Sequence, residues 1–224
     1  MKISNPLLKL IQPLPEVRLK QKNSALLVVD MQYLDAHKDY GVFLKARKKG
    51  ALDAMNYYRD RLELIVPNIA RLQKAFRRKR MEVIQTKIAS LTLDGRDRSR
   101  GHRDKGIFAP KGSKDAEILK ELRPLENEIV LPKTASGVFN STAIDQILKN
   151  LGVENLVITG VVTNNCVENA VRDACDRGYG VILVEDGCAA VTEELHLAAI
   201  RAMRDHFAKI KTTAEVLKML PRIR

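Results

Sequence analysis

Short apolar runs rich in β-branched residues alternate along this chain with segments whose apolar residues recur every three or four positions. Ser24–Asp30 (SALLVVD), Met81–Thr86 (MEVIQT), Glu128–Leu131 (EIVL), Asn155–Thr159 (NLVIT) and Gly180–Val184 (GVILV) read as buried strands, with a short sixth near 207–210. Between them, Leu62, Ile65, Ile69, Leu72 and Phe76 mark a helical pattern over 51–80, with Pro67 predicting a kink or break. Further helices are expected near 114–122, 141–150, 165–177 (ending at Gly178), 192–205 and 213–219. Residues 88–112 hold four Gly, one Pro and many charges, and read as a long functional loop.

Strands apolar on both faces, alternating with helices, predict an α/β fold. The expected architecture is a three-layer α/β/α sandwich around a mostly parallel, doubly wound sheet. The 224 residues fit one domain over 23–224, preceded by an N-terminal arm over 1–22 that Pro6, Pro13 and Pro15 hold extended. No apolar run approaches a membrane span, and the N-terminal residues carry no signal-peptide pattern, so a soluble cytoplasmic protein is expected. Three cysteines without CxxC spacing argue against a disulfide framework or a cysteine zinc site.

The net charge of +12 is concentrated in Lys45–Lys49, Arg71–Arg80 and Arg96–Lys105. No nucleic-acid module accompanies these runs and the chain has no Trp for base stacking. Solvated helix faces are the favoured reading over a nucleic-acid partner.

In doubly wound sheets the site lies at the carboxyl ends of the strands. There the sequence delivers Asp30, Lys133 and Cys166, each after a different strand. A thiol at a helix start is favoured as thiolate by the helix dipole and by a nearby ammonium, and a carboxylate can take its proton. The N–H of Cys166 and one from the preceding turn are candidates for an oxyanion hole. Each residue also has a plainer reading: Asp30 as a helix cap, Lys133 as a solvated side chain, Cys166 as a small packing residue. Cys175 and Cys188 read as packing residues, and His196 and His206 as structural.

Three blocks in this order resemble the isochorismatase-like cysteine hydrolase superfamily. They are Leu26-Leu27-Val28-Val29-Asp30-Met31-Gln32, Leu131-Pro132-Lys133-Thr134 with Phe139-Asn140-Ser141-Thr142, and Gly160-Val161-Val162-Thr163-Asn164-Asn165-Cys166-Val167-Glu168. The similarity runs over about residues 22–220 and includes Val184-Glu185-Asp186-Gly187-Cys188-Ala189-Ala190. It implies a catalytic set of Cys166, Lys133 and Asp30, a non-proline cis peptide at Val161–Val162, and an oxyanion hole from the N–H groups of Val162 and Cys166. It implies thiolate attack on an amide-type carbon, release of ammonia or an amine, and a homodimer or homotetramer.

Two departures narrow the branch. The nicotinamidase branch holds a metal through an Asp-x-His unit, whereas Asp30-Met31-Gln32 lacks that His and His37 and His102 stand apart. No metal and no cofactor are expected. The branch that cleaves the isochorismate vinyl ether lacks the cysteine that this chain has. Asp94–Ser99 and the Gly137–Thr142 stretch are similar to members acting on biuret, triuret or ureidoacrylate. Gln32, Phe139, Asn140, Asn165 and Arg96 are the candidate substrate-binding residues, Arg96 among the cations of the 88–112 loop that would meet a carboxylate or carbonyl. The competing readings are a nicotinamidase or N-carbamoyl amidase, and a basic, non-catalytic scaffold on the same fold.

Overall fold

The computed structural model describes residues 14–221 together with Leu10 and Gln12. The rest of the expected N-terminal arm lies outside the described residues. Of the part that is described, Val17 and Leu19 are buried against the domain, and Glu16 lies 3.4 Å from Lys209.

The chain runs β1 (Ser24–Val29), α1 (Tyr33–Ala36), α2 (Gly41–Lys48), α3 (Asn56–Arg78), β2 (Glu82–Ile88), α4 (Arg100–Asp104), β3 (Ile129–Lys133), α5 (Val138–Ser141), α6 (Ile144–Asn150), β4 (Asn155–Val161), α7 (Glu168–Asp176), β5 (Gly180–Ala189), α8 (Glu193–Met203), β6 (Lys209–Lys211) and α9 (Thr213–Met219). All six strands are parallel, in the order β3-β2-β1-β4-β5-β6. Ala25, Leu27 and Val29 of β1 face one core with residues of α5, α6, α7 and α8, whereas Leu26 and Val28 face a second core with Phe43, α3 and Val216. The central strand is thus apolar on both sides because both sides are covered, as the sequence pattern predicts for a three-layer sandwich.

The order reverses at β1: β2 and β3 extend to one side, β4 to β6 to the other. A crevice opens between the tails of neighbouring strands at such a reversal. There Gly160 pairs with Val29 at φ +117°, and a Cβ on Gly160 would sit 2.0 Å from the Val29 carbonyl oxygen. No residue with a side chain fits this approach.

Several elements differ from expectation. α3 runs unbroken through Pro67, which is on the exposed face, where water satisfies the carbonyl that the ring leaves free. The helix expected near 114–122 is two single 3-10 turns, Lys114–Ala116 and Lys120–Leu122. Between them Ile118 bridges to Gln32 and the Leu119 N–H bonds the Met31 carbonyl, which holds the backbone extended. The 88–112 loop contains α4, the expected 141–150 helix is the pair α5 and α6, and Cys166 sits in a π-type turn, Thr163–Val167, before α7. β5 continues to Ala189 because, after a register shift, Cys188 and Ala189 pair with Gly160 and Val161.

Candidate active site

Asp30 follows β1 in the left-handed region at φ +53°, an uncommon conformation for a residue with a side chain. Backbone bonds over-determine it. Its N–H bonds the Thr86 carbonyl at 3.1 Å, and its carbonyl accepts the Gln32 N–H at 2.8 Å. Its carboxylate is buried and accepts the Thr86 hydroxyl at Oδ1, 2.9 Å away.

Lys133 closes β3 and is fully buried. Its ammonium has three protons. They are shared among the carbonyls of Ala135 (3.1 Å) and Ser136 (3.0 Å), Cys166 Sγ (3.3 Å) and the Asp30 carboxylate. Asp30 Oδ2 lies 2.8 Å from the same nitrogen, the shortest contact that the ammonium makes. Burial works against the Lys133 charge, but Asp30 and the Cys166 sulfur outweigh it and hold the ammonium above its ordinary pKa.

Cys166 is buried at 5% exposure. Burial, then the Asp30 charge, push its thiol up to about 12, with Lys133 pulling the other way. The sequence reading, which weighed the helix start and Lys133, expects the opposite direction. What it lacks is the depth of the sulfur and the carboxylate behind it. The resting group is a neutral thiol.

The turn that carries Cys166 is held by a polar relay. The peptide bond Val161–Val162 is cis, and the Val162 carbonyl accepts the N–H groups of Asn165 and Val167. Next along the chain, Thr163 Oγ1 lies 2.9 Å from His196 Nδ1, whose Nε2 is 3.0 Å from Arg61 Nη2. Arg61 can only donate, so His196 Nε2 accepts and Nδ1–H donates to Thr163. Arg61 also donates to the carbonyls of Glu185 and Cys188. Burial first, and Arg61 second, lower the His196 pKa to about 4. The sequence reading of His196 as structural fits this position, but its link to the Cys166 turn is visible only in three dimensions.

The five candidate binding residues separate. Both amide hydrogens of Gln32 are engaged by the carbonyls of Ile88 and Asp115 and its oxygen takes the Ile88 N–H, so it is a clamp between strand tails with nothing left for a ligand. Phe139 is buried in the core beside Tyr179 and under the Arg177 guanidinium. Asn140, on α5, and Asn165, in the turn before Cys166, are exposed. Arg96 is 75% exposed and is paired with Asp94 at 3.2 Å, and no contact joins it to the cluster among the described residues. The neighbouring cations of that loop are likewise used inside it. Arg98 lies over Phe108 and bonds the Gly95 and Ile107 carbonyls, and Arg100 pairs with Asp104.

Asp35 on α1 went unnoticed in the sequence. Its Oδ2 is buried without a hydrogen-bond partner, and burial, then Asp30, raise its pKa to about 7. Among the described residues no three His, Cys, Asp or Glu side chains gather closely enough to hold a metal ion. No described helix is long and apolar enough to cross a membrane.

Three strand ends that converge on a buried thiol, ammonium and carboxylate define a hydrolase of the isochorismatase-like class. The isochorismatase domain model matches residues 24–215, and the chain belongs to that family. The ureidoacrylate amidohydrolase RutB of Variovorax paradoxus is 34% identical over 200 residues, 82% of this chain and 73% of its own length. RutB of Acinetobacter baylyi is 28% identical over 88% of this chain and 83% of its own. A cysteine hydrolase from Pseudomonas syringae pv. phaseolicola superposes with a TM-score of 0.76 at 24% identity, covering 93% of this chain and 97% of its own. N-carbamoylsarcosine amidase from Thermoplasma acidophilum does so with a TM-score of 0.66 at 27% identity, covering 85% and 96%. The chain thus stands on the family branch whose members include amidohydrolases, which act on carbon–nitrogen bonds other than peptide bonds.

Proposed function

We propose that this chain is a metal-independent hydrolase of a small ureido or carbamoyl compound, with Cys166 as nucleophile, Asp30 as general base and acid, and Lys133 as their electrostatic partner. The observation that carries the reading is the single ammonium lying 2.8 Å from Asp30 Oδ2 and 3.3 Å from Cys166 Sγ. A ureido or carbamoyl group is common to the two substrates that the relatives' names specify, which supports that class over nicotinamide.

Because the thiol rests neutral, attack requires a base in place, and the Asp30 carboxylate supplies it. As Sγ bonds to the substrate carbon, its proton passes to Asp30 and the carbonyl oxygen takes the negative charge. The backbone N–H groups of Val162 and Cys166 receive that oxyanion. Collapse of the intermediate breaks the C–N bond. Asp30 returns its proton to the leaving nitrogen, which departs as ammonia or an amine. Water then enters, gives its proton to Asp30, and cleaves the thioester-type intermediate to acid and free thiol. Lys133 keeps its proton throughout and balances the charge that moves between Asp30 and sulfur.

The test is an ammonia-release screen over ureides, carbamoyl amino acids and simple amides, with and without chelator, beside Cys166→Ser. Release that survives chelation and vanishes in the variant is the expected result. Release that needs a divalent ion, or persists in Cys166→Ser, overturns the reading.

A further inference from the structure

α1 opens three residues after Asp30 and brings Asp35 back beside the cluster. Asp35 is close enough that Asp30 and Lys133 both shift its titration, and it in turn raises the Cys166 thiol. Asp35 as a residue is half-buried, at the start of the segment that leaves the β1 tail. Its side chain makes no hydrogen bond within the described residues, and Oδ2 is sealed from solvent without a donor. A buried carboxylate oxygen left without a donor is costly, and native structures retain one chiefly where something else supplies the donor.

The nearby positive groups act on it through charge alone, their protons being bonded elsewhere. The protons of Lys133 are engaged by two carbonyls, the sulfur and the Asp30 carboxylate. Lys45 Nζ donates to the Gly106 carbonyl at 3.0 Å. His102 is kept neutral by burial and by the Lys133 charge. Asp115 adds negative charge from the neighbouring turn. Above about pH 7, where Asp35 is ionised, it adds negative charge beside Cys166 while Asp30 and Lys133 largely offset one another.

We propose that Asp35 is a specificity-determining residue: its carboxylate accepts N–H groups of the bound molecule and selects amine- or ammonium-bearing ureido compounds against carboxylate-bearing ones. This deepens the hydrolase reading above and rests on it for the word substrate. The donor that the carboxylate lacks within the protein is then a substrate nitrogen. A carboxylate tail such as that of ureidoacrylate would instead meet Asp35 with like charge, and among the described residues no arginine contacts Asp30, Lys133, Cys166 or Asp35.

The experiment measures charge selection at Cys166 without turnover. The full-length protein is alkylated at pH 8 with iodoacetate or with 2-bromoethylammonium, and labelling at Cys166 is followed by peptide mass. Each rate is divided by the rate of the same reagent with a small free thiol. The normalised cation-to-anion ratio is expected to be about tenfold or more in wild type, on the order of one screened unit charge. It should fall at least about fivefold in Asp35→Asn and hold in Asp35→Glu. In parallel, kcat/KM is compared for an amine-bearing and a carboxylate-bearing ureide, where Asp35→Asn should narrow the preference through KM. A wild-type ratio near one, or a ratio in Asp35→Asn within twofold of wild type, overturns the assignment. Should Asp35→Asn not fold, the wild-type and Asp35→Glu ratios decide. Failure to release ammonia from any ureide would sink the hydrolase reading, while the alkylation ratios would still decide the role of Asp35.

Discussion

Thr86 Oγ1 donates to Asp30 Oδ1 at 2.9 Å while the Asp30 N–H reaches the same hydroxyl at 3.3 Å, so β2 fixes both the backbone and the carboxylate that follow β1. Thr86→Val keeps the shape and removes the donor. It should cost about 1–3 kcal/mol of stability, the penalty for a buried oxygen left unpaired. It should also lower kcat by about tenfold to a hundredfold through a misplaced base. Thr86→Ser should restore both. Denaturant unfolding and steady-state rates check this, and a Thr86→Val enzyme with unchanged kcat would remove the link.

The Asp30–Lys133 pair is almost wholly desolvated, at 1% and 0% side-chain exposure. Lys133→Met strands a buried carboxylate and should destabilise the fold by about 3–5 kcal/mol. The double variant Asp30→Asn/Lys133→Met should recover a large part of that loss while remaining inactive. A double variant no more stable than Lys133→Met in urea unfolding would contradict the coupling.

The Cys166 thiol, held up to about 12, should show no thiolate plateau at neutral pH. Iodoacetamide labelling at Cys166 should keep accelerating from pH 7 through pH 10. Burial is the first cause of the shift and Asp30 the second, so Asp30→Asn should move the labelling midpoint to lower pH even as hydrolysis is lost. A neutral-pH midpoint in wild type would reverse the direction argued here.

His196 ties acid sensitivity to the active turn. Its folded pKa of about 4 lies below its ordinary value of 6.5. Between these values the unfolded chain binds a proton that the folded chain refuses. Stability therefore rises with pH across that window and is lost as pH falls from 6.5 towards 4. His196→Gln should flatten this part of the unfolding-midpoint profile relative to wild type. An unaltered slope would show that other groups carry it.

Gly160→Ala should fail outright. The new methyl group would lie 2.0 Å from the Val29 carbonyl oxygen, backbone against backbone, at φ +117°. Soluble yield and the circular dichroism melt are the measurements, and a variant as stable as wild type would disprove the close approach of β1 and β4.

Much of the fold is written in local pattern. Leu26 to Val29 are apolar on both faces because both faces are covered, and that alone announces a central parallel strand. Asp30, Lys133 and Cys166 were singled out for a related reason: each lies at or within a few residues of the end of such a run. Features set by tertiary contact were not. Pro67 sits inside a continuous helix because its face meets water, and Lys114–Leu122 is not helical because Met31 and Gln32 take its backbone bonds. Gln32 looked like a ligand-binding amide until its three partners were seen. Asp35 and the Arg61–His196–Thr163 relay have no local signature at all, since each depends on which distant groups surround it.

The segment between β2 and β3 is stitched over the strand tails by the Leu119 and Tyr33 backbone bonds to Met31 and Glu117, and by the Ser99 N–H on the Thr134 carbonyl. It is anchored at its borders to main-chain atoms, which any sequence provides, whereas the reacting groups belong to the sheet. Exchange of this insert between homologues would therefore change which molecules are admitted and leave the bond-breaking apparatus untouched, a modularity by which one scaffold can diversify its diet.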